Sequence, residues 1–471
     1  MNLAAAELHL ATEAEWRRRA LAALKGAPFE RLVSESLDGL RFGPLHAPAS
    51  GRPRALRAAA GPWRIAQRVD HPDSTLANAL ALADLDGGAD ALTLVTGDAP
   101  AARGAGVAIG GLADVDDALS GVQLDLIALR LDAGAAAPRV AALLAALAQQ
   151  RRLDASQLSI DFGCDPVALH AAGESAAGIG AAIAAAARAL KAQGFAGAVH
   201  IADGRVWHDA GASEAQELGL VLAGAVETLR LVEGQGQAPA DAARDMSFCL
   251  SADADLYLGL AKFRALRQLW ARVEASCGLA HRAIRVHAET SWRMLSRRDP
   301  QVNILRAGAA VFAAGLGGAD TITVLPFTAA LGLPDASARR IARNTSLVFL
   351  EEAHLAKVAD SAAGAGGFEA LTQGLCEKAW AFFQGVEAAG GLLKAIEAGA
   401  PQQAVARTAD VRAALIASGK QPLTGTTVFA VRDEAPVQTL AVQLRAPVIG
   451  VMPARRDAEP YEALPQKPPA G

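Results

Sequence analysis

Eight short apolar runs, separated by segments with helical periodicity, constrain the fold of this chain more than any other feature of its sequence. The runs lack the strict apolar–polar alternation of half-exposed strands, which favours parallel strands buried on both faces. Eight alternating strands and helices are typical of a closed (β/α)8 barrel of about 250 residues. An open, doubly wound sheet stays as the alternative, because periodicity alone does not show closure. The predicted strands are residues 91–95, 124–131, 157–162, 198–202, 246–250, 284–287, 321–325 and 357–359.

The composition is that of a globular protein and excludes several partners. Of the 471 residues, 52% are hydrophobic and 20% are charged, and the net charge is −4. That balance gives no basic surface for a nucleic acid or an anionic membrane. The longest uncharged stretches, such as residues 176–187, are shorter than the roughly 20 residues that a bilayer span needs. Four widely spaced cysteines indicate buried thiols in a reducing compartment, so we expect a cytoplasmic protein.

Shifts in composition divide the chain into four predicted parts. Residues 1–60 contain an N-terminal helix and an arm rich in Gly, Pro and Arg, which lies on its own domain or wraps a partner chain. Residues 61–367 form the barrel, and residues 368–430 form further helices and a linker. Residues 431–471 form an extended, Pro-rich tail, which we expect to fray or to bind a neighbour.

Common catalytic motifs do not explain this sequence. Residues 104–111 read GAGVAIGG, but the third glycine is misplaced for a dinucleotide-binding turn, so we interpret the run as a loop. His208 and Asp209 follow the fourth predicted strand, where a barrel carries its active loops. They form either an oriented base or a surface pair that caps the next helix.

The densest polar segment, residues 288–306, lies after the sixth predicted strand, at the functional end of a barrel. Two interpretations stay open. The segment binds an anion, or it is a rim loop held by Arg–carboxylate pairs or by a subunit contact. The side chains concerned are Trp292, Arg293, Arg297 and Arg298.

The same segment, AETSWRMLSRRDPQVNILR, carries a family resemblance together with PWRIAQRVDHPD, GGADTITVLPF and RRIARNTSLVFLEE. It resembles the methylmalonyl-CoA mutase family, and within it the small, non-catalytic (beta) subunit of the heterodimeric bacterial enzyme, over about residues 61–427. The resemblance implies an adenosylcobalamin-dependent carbon-skeleton isomerase whose (β/α)8 barrel holds CoA along its axis. It also implies a separate flavodoxin-like domain that holds cobalamin through a DxHxxG motif, and a large subunit that carries both in working order.

The sequence departs from the family pattern where catalytic members carry their site residues. Arg68 stands at the tyrosine of an RQY motif, and Val206 stands at the histidine that donates to the thioester carbonyl, with His208 displaced by two residues. The strand-three arginine that binds the substrate carboxylate has no counterpart near Asp161. The strand-eight motif DPxGGSxYVE reads DSAAGAGGFE at residues 360–369, and no DxHxxG occurs in the sequence. We therefore expect no cobalamin-binding domain in this chain.

These departures predict a barrel that keeps its frame without a catalytic, cofactor-binding or metal-binding residue. The resemblance implies a small subunit that stabilises the catalytic large subunit in a heterodimer. Adenosylcobalamin would lie in that partner, and the complex would isomerise methylmalonyl-CoA and succinyl-CoA in propionate metabolism. We expect a vestigial pocket that contains Arg68, Asp161, Val206, His208 and Asp209.

Two other functions stay open on the sequence, as does the question of whether the chain is itself an enzyme. One is a self-sufficient barrel enzyme that acts on an acyl-CoA through a re-made site. Its candidate residues are Arg68, His208, Asp209 and Glu289 at the rim. The other is a binding or chaperone protein associated with a mutase, which would form a transient complex.

Overall fold

The computed structural model describes residues 12–49, 61–431 and 433–463 and is built around a parallel sheet of eight strands. The first strand pairs with the last, since Ile65 lies opposite Ile322. The remaining edges meet where Cys164 bridges His200 in parallel, so the sheet closes into a (β/α)8 barrel and the open-sheet alternative is wrong. The strands are β1 (Arg64–Val69), β2 (Ala91–Val95), β3 (Ala128–Asp132), β4 (Ser159–Asp161), β5 (His200–Asp203), β6 (Met246–Ala252), β7 (Arg285–Thr290) and β8 (Thr321–Thr323).

Two of the strand predictions need correction. The first barrel strand is β1, which we did not predict, because Gln67 and Arg68 break its apolar run although both are buried. The predicted strand at residues 357–359 is wrong, since a short 3-10 turn covers Leu355–Lys357. Each of the other seven predicted strands overlaps a strand of the barrel, but each moves up one place in the barrel order.

Helices surround the barrel, and several begin at a side chain that accepts a hydrogen bond from a free backbone N–H group of the first turn. Asp73 accepts from the amide of Leu76 at 2.9 Å, and Ser213 and Gln216 form a reciprocal capping box. The helices are α1 (Glu13–Ala23), α2 (Ser74–Asp86), α3 (Leu112–Ala118), α4 (Ala137–Gln150), α5 (Pro166–Ala171), α6 (Ala176–Ala192), α7 (Arg205–Ala210), α8 (Glu214–Glu233), α9 (Pro239–Arg244), α10 (Leu256–Ser276), α11 (Val302–Gly317), α12 (Ala336–Leu347), α13 (Gly366–Ala388), α14 (Leu392–Glu397), α15 (Ala400–Ala417) and α16 (Glu459–Glu462). Among the described residues, none of these helices is long and apolar enough to cross a bilayer.

The described part of the N-terminal arm lies on the outer helices of its own barrel. The half-buried carboxylate of Asp38 accepts a hydrogen bond from the Ser213 hydroxyl and another from the Ala215 amide at 3.2 Å. The amide of Ala49 donates to the carbonyl of Gly364 at 3.0 Å. The described part of the arm therefore contacts its own domain, and that the arm also contacts a partner chain stays a prediction. Residues 1–11 and 50–60 lie outside the described residues.

The C-terminal segment crosses the carboxyl ends of the barrel strands, and we call residues 440–463 the strap. Its backbone amides donate to the barrel and its loops at four points, namely Leu440 to Leu333 at 2.8 Å, Arg445 to Gly104 at 2.8 Å, Arg455 to Asp209 at 2.9 Å and Asp457 to Arg293 at 3.0 Å. We expected the tail to fray or to bind a neighbour. Its described part is bound to its own barrel instead. The sequence did not predict this attachment, because backbone hydrogen bonds do not depend on which side chains are present.

The cysteines only partly match the prediction of buried thiols. Cys164 and Cys249 are buried, and burial raises the pKa of each thiol to about 12. Cys277 is exposed and Cys376 is half-buried, so the prediction is wrong for Cys277, which lies just beyond the end of α10.

Candidate functional site at the carboxyl end of the barrel

A cavity of about 370 Å³ lies between the carboxyl ends of the strands and the strap. Active sites of (β/α)8 barrels form at this end, in the loops that follow the strands. Most of the wall is apolar, and three arginines and several carboxylates complete it. The lining residues include Arg103, Arg130, Leu131, Asp132, Asp165, Val167, Ala168, Ile201, Asp203, Arg205, Val206, Asp209, Trp292, Met452 and Glu459.

Glu289 on β7 is the centre of the ion pairs below this cavity. Its carboxylate accepts from Arg68 at 3.0 Å and from Arg205 at 3.2 Å, and Arg103 lies 3.9 Å away. Arg68 also donates to Asp70 at 2.8 Å. Burial alone would raise the pKa of Glu289, but the surrounding guanidinium groups outweigh it and hold that pKa well below its usual range. Glu289 is therefore a fixed anion that the arginines neutralise.

A second group of charges lines the barrel interior next to Glu289. Arg205 donates to Asp203 through Nε at 3.0 Å and contacts Asp132 through Nη2 at 2.8 Å. Arg130 donates to Asp132 at 3.4 Å. Each guanidinium of the cavity wall thus has a carboxylate partner in the chain itself. Arg130 also lines a second cavity of about 300 Å³ at the amino ends of the strands, so its side chain lies between the two.

Asp165 supplies an uncharged polar group to the cavity wall. Burial and the nearby charge of Asp203 raise the pKa of its carboxyl to about 8. The same carboxyl accepts from the amide of Val167 at 2.9 Å and caps α5. At neutral pH it is therefore mostly protonated and able to donate a hydrogen bond.

The predicted pair of His208 and Asp209 is separated in the structure. Asp209 lines the cavity and contacts Arg103 at 2.9 Å, and the Arg103 guanidinium lies 4.4 Å from the Trp292 ring centre. His208 is fully buried on the other side of α7 and does not line the cavity. The surface-pair interpretation is wrong, since both side chains are buried and Ser213 itself caps α8.

His208 belongs to a buried chain of polar groups that the sequence analysis missed. Its Nε2 lies 2.8 Å from the Ser291 hydroxyl, and its Nδ1 lies 3.1 Å from Glu217. Lys262 of α10 donates to the same carboxylate at 2.6 Å. Burial would raise the pKa of Glu217, but Lys262 and His208 lower it to about 2. The order of serine, histidine and carboxylate resembles a hydrolytic triad, but all three side chains are fully buried. This group of side chains therefore has a structural role and joins α7, α8 and α10 to the loop after β7.

The remaining predicted pocket residues lie in different places. Val206 lines the cavity, and the strap approaches it closely, since a Cβ on Gly450 would lie 2.8 Å from Val206 Cγ2. Asp161 lies at the amino end of the barrel, where it contacts His287 at 2.7 Å and Arg285 at 3.2 Å. The structure therefore brings Val206 and Asp209 together, places Arg68 behind the cavity wall, and separates His208 and Asp161 from them.

The polar segment after β7 has the rim-loop arrangement. Arg293 contacts Asp253 at 2.8 Å and donates to the carbonyls of His208 and Ala212. Arg297 donates through its side chain to Ala330, and Arg298 donates to Glu462 of the strap. These arginines fix the loop to its own chain. Trp292 is the member of the segment whose side chain stacks with Arg103 at the cavity.

A signal for the missed arginines was present in the sequence. Arg130 and Asp132 are two residues apart in the run IALRLD, and residues at that spacing face the same side of a strand. Charged residues at alternate positions of a buried parallel strand indicate a polar barrel interior. Across the described ranges, His, Cys, Asp and Glu side chains form no group of three or more that could hold a metal ion.

Comparisons with known proteins agree on one family. A family model described as methylmalonyl-CoA mutase matches residues 53–448. A methylmalonyl-CoA mutase small subunit of Streptomyces virginiae is 38% identical over 98% of this chain and 77% of its own length. A probable methylmalonyl-CoA mutase small subunit of Mycobacterium bovis is 40% identical over 87% of this chain and 64% of its own length. The small subunit of Propionibacterium freudenreichii subsp. shermanii is 32% identical over 96% of this chain and 74% of its own length.

Proposed function

Because the chain belongs to the methylmalonyl-CoA mutase family, we propose that it is the small, non-catalytic subunit of an adenosylcobalamin-dependent acyl-CoA mutase. In this proposal it stabilises a catalytic large subunit that interconverts methylmalonyl-CoA and succinyl-CoA in propionate metabolism. The names of the relatives, which are small subunits in three organisms, support a chain that works with a larger partner.

The observation that carries the proposal is that the charged groups of the barrel bind one another. Arg68 is held by Asp70 and Glu289 at 2.8 and 3.0 Å. Val206, at the position of the family's hydrogen-bond donor to the thioester, is aliphatic and lies under Gly450. Catalysis requires donors arranged around the reacting atoms. This barrel directs its donors to its own carboxylates.

The residues at the carboxyl end do not fit a corrin cofactor, so we assign adenosylcobalamin to the partner subunit. The strap occupies the face from which a large cofactor would approach the cavity. Both ring nitrogens of His208 are within hydrogen-bond distance of Glu217 and Ser291, so this histidine has no free nitrogen for cobalt.

This chain would stabilise its partner by association, because a protein that binds only the folded form of its partner raises the partner's free energy of unfolding. A permanent heterodimer commonly buries 2,000 Å² or more. Helix α1 supports such a role, because none of its residues is buried against the barrel. We propose that residues 1–60 supply part of the interface. We also propose a cytoplasmic location, which the unpaired thiols of Cys164 and Cys249 support.

The alternative of a self-sufficient enzyme receives less support from the geometry. It requires Arg68, His208, Asp209 and Glu289 to face one substrate. Glu289 and Arg68 are paired with each other at 3.0 Å, and His208 points away from the cavity that Asp209 lines. The alternative of a chaperone differs from our proposal in the lifetime of the complex, since a chaperone would bind the mutase transiently and a subunit would stay bound.

The test is to express the chain alone and together with the large mutase subunit encoded in the same genome. We expect a 1:1 complex whose mass persists on dilution, and turnover in the complex. The isolated chain should show neither a cobalamin absorbance after incubation with adenosylcobalamin nor turnover of methylmalonyl-CoA. The large subunit alone serves as the control and should lose activity faster on warming than the complex. Turnover by the isolated chain would favour the self-sufficient enzyme, and a complex that dissociates on dilution would favour the chaperone.

A further inference from the structure

We propose that the cavity under the strap is a binding site for a small uncharged molecule with a polar head and an apolar body, such as a short-chain amide. Residues 446–454 of the strap, which we call the lid, close this site. The proposal concerns the isolated chain and does not depend on the proposed partnership.

The size and lining of the cavity suit such a ligand. Sites for small molecules are mostly apolar concavities of about 300–1,000 Å³ with a few polar groups that fix orientation. The volume here is about 370 Å³. Leu131, Val167 and Ile201 of the barrel form apolar wall on one side, and Met452 of the lid covers the other. The cavity is therefore large enough for a small ligand, and its apolar wall favours an apolar body.

The charge balance of the wall selects an uncharged ligand. Arg103, Arg130 and Arg205 line the cavity together with Asp132, Asp203 and Asp209. Arg103 contacts Asp209 at 2.9 Å. Arg205 contacts Asp203 and also Asp132, the latter at 2.8 Å. Three cations thus face three anions. A charged ligand would have to leave water without a free counter-charge to receive it, and an uncompensated buried charge is strongly unfavourable.

A neutral polar group is available for the head of the ligand. Asp165 lines the same cavity, and burial together with the charge of Asp203 raises its pKa to about 8. A protonated carboxyl can both donate and accept a hydrogen bond, which matches a primary amide. Glu459 also lines the cavity but is exposed at its rim, where water screens its charge.

The lid is attached at its two ends and only packed between them. The amides of Arg445 and Arg455 donate to the carbonyls of Gly104 and Asp209. Within the described residues, no hydrogen bond joins residues 446–454 to the barrel. The side chain of Met452 is buried, whereas Ile449 is 64% exposed. A segment with few buried contacts and no hydrogen bonds opens at low free-energy cost, so the lid can admit a ligand while its ends stay bound.

Gly450 lets the lid close onto the barrel. A Cβ at this position would lie 2.8 Å from Val206 Cγ2, closer than non-bonded carbon atoms approach. Any larger residue would therefore hold the lid away from Val206. This contact links closure of the lid to a residue in the cavity wall.

The experiment compares three six-carbon probes that differ in the charge of the head: hexanamide, hexanoate and hexylammonium. Each is titrated into the full-length chain at pH 7, with saturation-transfer NMR to detect binding. We expect hexanamide to bind at least tenfold more tightly than either ion. Hydrogen exchange of the amides in residues 446–454 should slow several-fold when hexanamide is present. Equal binding of hexanoate or hexylammonium, or no binding of hexanamide, would overturn the ligand class.

Variants separate this site from non-specific binding. Ala168→Trp places a large ring at a residue that lines the cavity and should reduce hexanamide binding at least tenfold. Ala172→Trp, four residues further along and outside the lining, is the matched control and should bind as the unchanged chain does. Gly450→Val should weaken binding and speed exchange of the lid amides. A thermal unfolding curve confirms that each variant is folded. Unchanged binding in folded Ala168→Trp would place the ligand elsewhere and contradict the proposal.

Discussion

The two ends of the barrel hold their charges under opposite conditions. At the carboxyl end, the side chains of Arg205 and Glu289 are only 5% and 2% exposed beneath the strap. At the amino end, Arg64 and Arg285 are 45% and 48% exposed. A buried ion pair is stable only when each charge keeps its partner, whereas water and salt screen an exposed pair. The same residue types therefore have different energetic weight at the two ends, and the covered end tolerates arginines because carboxylates match them.

The strongest test of this comparison is Glu289→Gln. The substitution leaves Arg68 and Arg205 buried without the shared anion, so we expect the free energy of unfolding to fall by about 3–5 kcal/mol. Urea titration followed by circular dichroism measures the change. A loss below about 1 kcal/mol would mean that water reaches the carboxyl end as freely as it reaches the amino end.

The pH dependence of stability tests the environment of Asp165. Its pKa is raised from 3.8 to about 8 in the folded chain, so between these values the folded state holds a proton that the unfolded state has lost. Stability from this group is present at low pH and declines as pH rises toward 8, by roughly 1.4 kcal/mol for each pH unit.

Asp165→Asn removes that titration and keeps a side chain that can cap α5. Relative to the unchanged chain, the variant should therefore gain stability between pH 5 and pH 7.5, as measured by urea unfolding at both values. Parallel pH profiles for the two proteins would show that the carboxyl is ionised and solvated.

A smaller effect is expected from the lid. Met452→Ala removes the buried side chain that holds the middle of the strap, which should cost about 1–2 kcal/mol at most, because the site opens to solvent and leaves no closed cavity. Hydrogen exchange of residues 446–454 should accelerate at least several-fold. Ile449→Ala, an exposed neighbour, is the control and should leave exchange unchanged.

The smallest effect should occur at the amino end. Arg285→Ala removes an ion pair of 3.2 Å with Asp161, but Asp161 keeps His287 at 2.7 Å and the Ala198 amide at 3.0 Å. We expect a loss below about 1 kcal/mol that shrinks further in 1 M salt. A loss as large as that of Glu289→Gln would remove the distinction between the ends.

Local signals in the sequence located most of the frame. Helix α2 begins after Asp73 and ends before Gly87, residue types that favour these two cap positions, and seven of the eight predicted strands overlap barrel strands. The missed strand β1 contains the adjacent polar residues Gln67 and Arg68, whose side chains lie on opposite faces of the strand and are both buried. Two adjacent polar residues interrupt the apolar run of β1, so apolar periodicity missed this strand. It found β3, in which Arg130 and Asp132 alternate with leucines.

The site was harder to predict because its contacts join distant parts of the chain. Glu217 and Lys262 meet only because α8 packs on α10, and neither residue has a local motif. The position of Val206 came from resemblance to a family, but its contact with Gly450 depends on how the strap is laid across the barrel. The strap is attached through backbone hydrogen bonds. Because their groups belong to the backbone and not to particular side chains, no sequence pattern predicts this attachment.

The order of synthesis gives the strap a further consequence. The last barrel strand ends at Thr323, and the strap begins to bond to the barrel at Leu440, a separation of 440 − 323 = 117 residues. A ribosome adding about 5–20 residues per second needs on the order of ten seconds for that distance. During translation the carboxyl end of the barrel is thus uncovered for this time. Small molecules in solution have access to it before the strap is synthesised and binds across it.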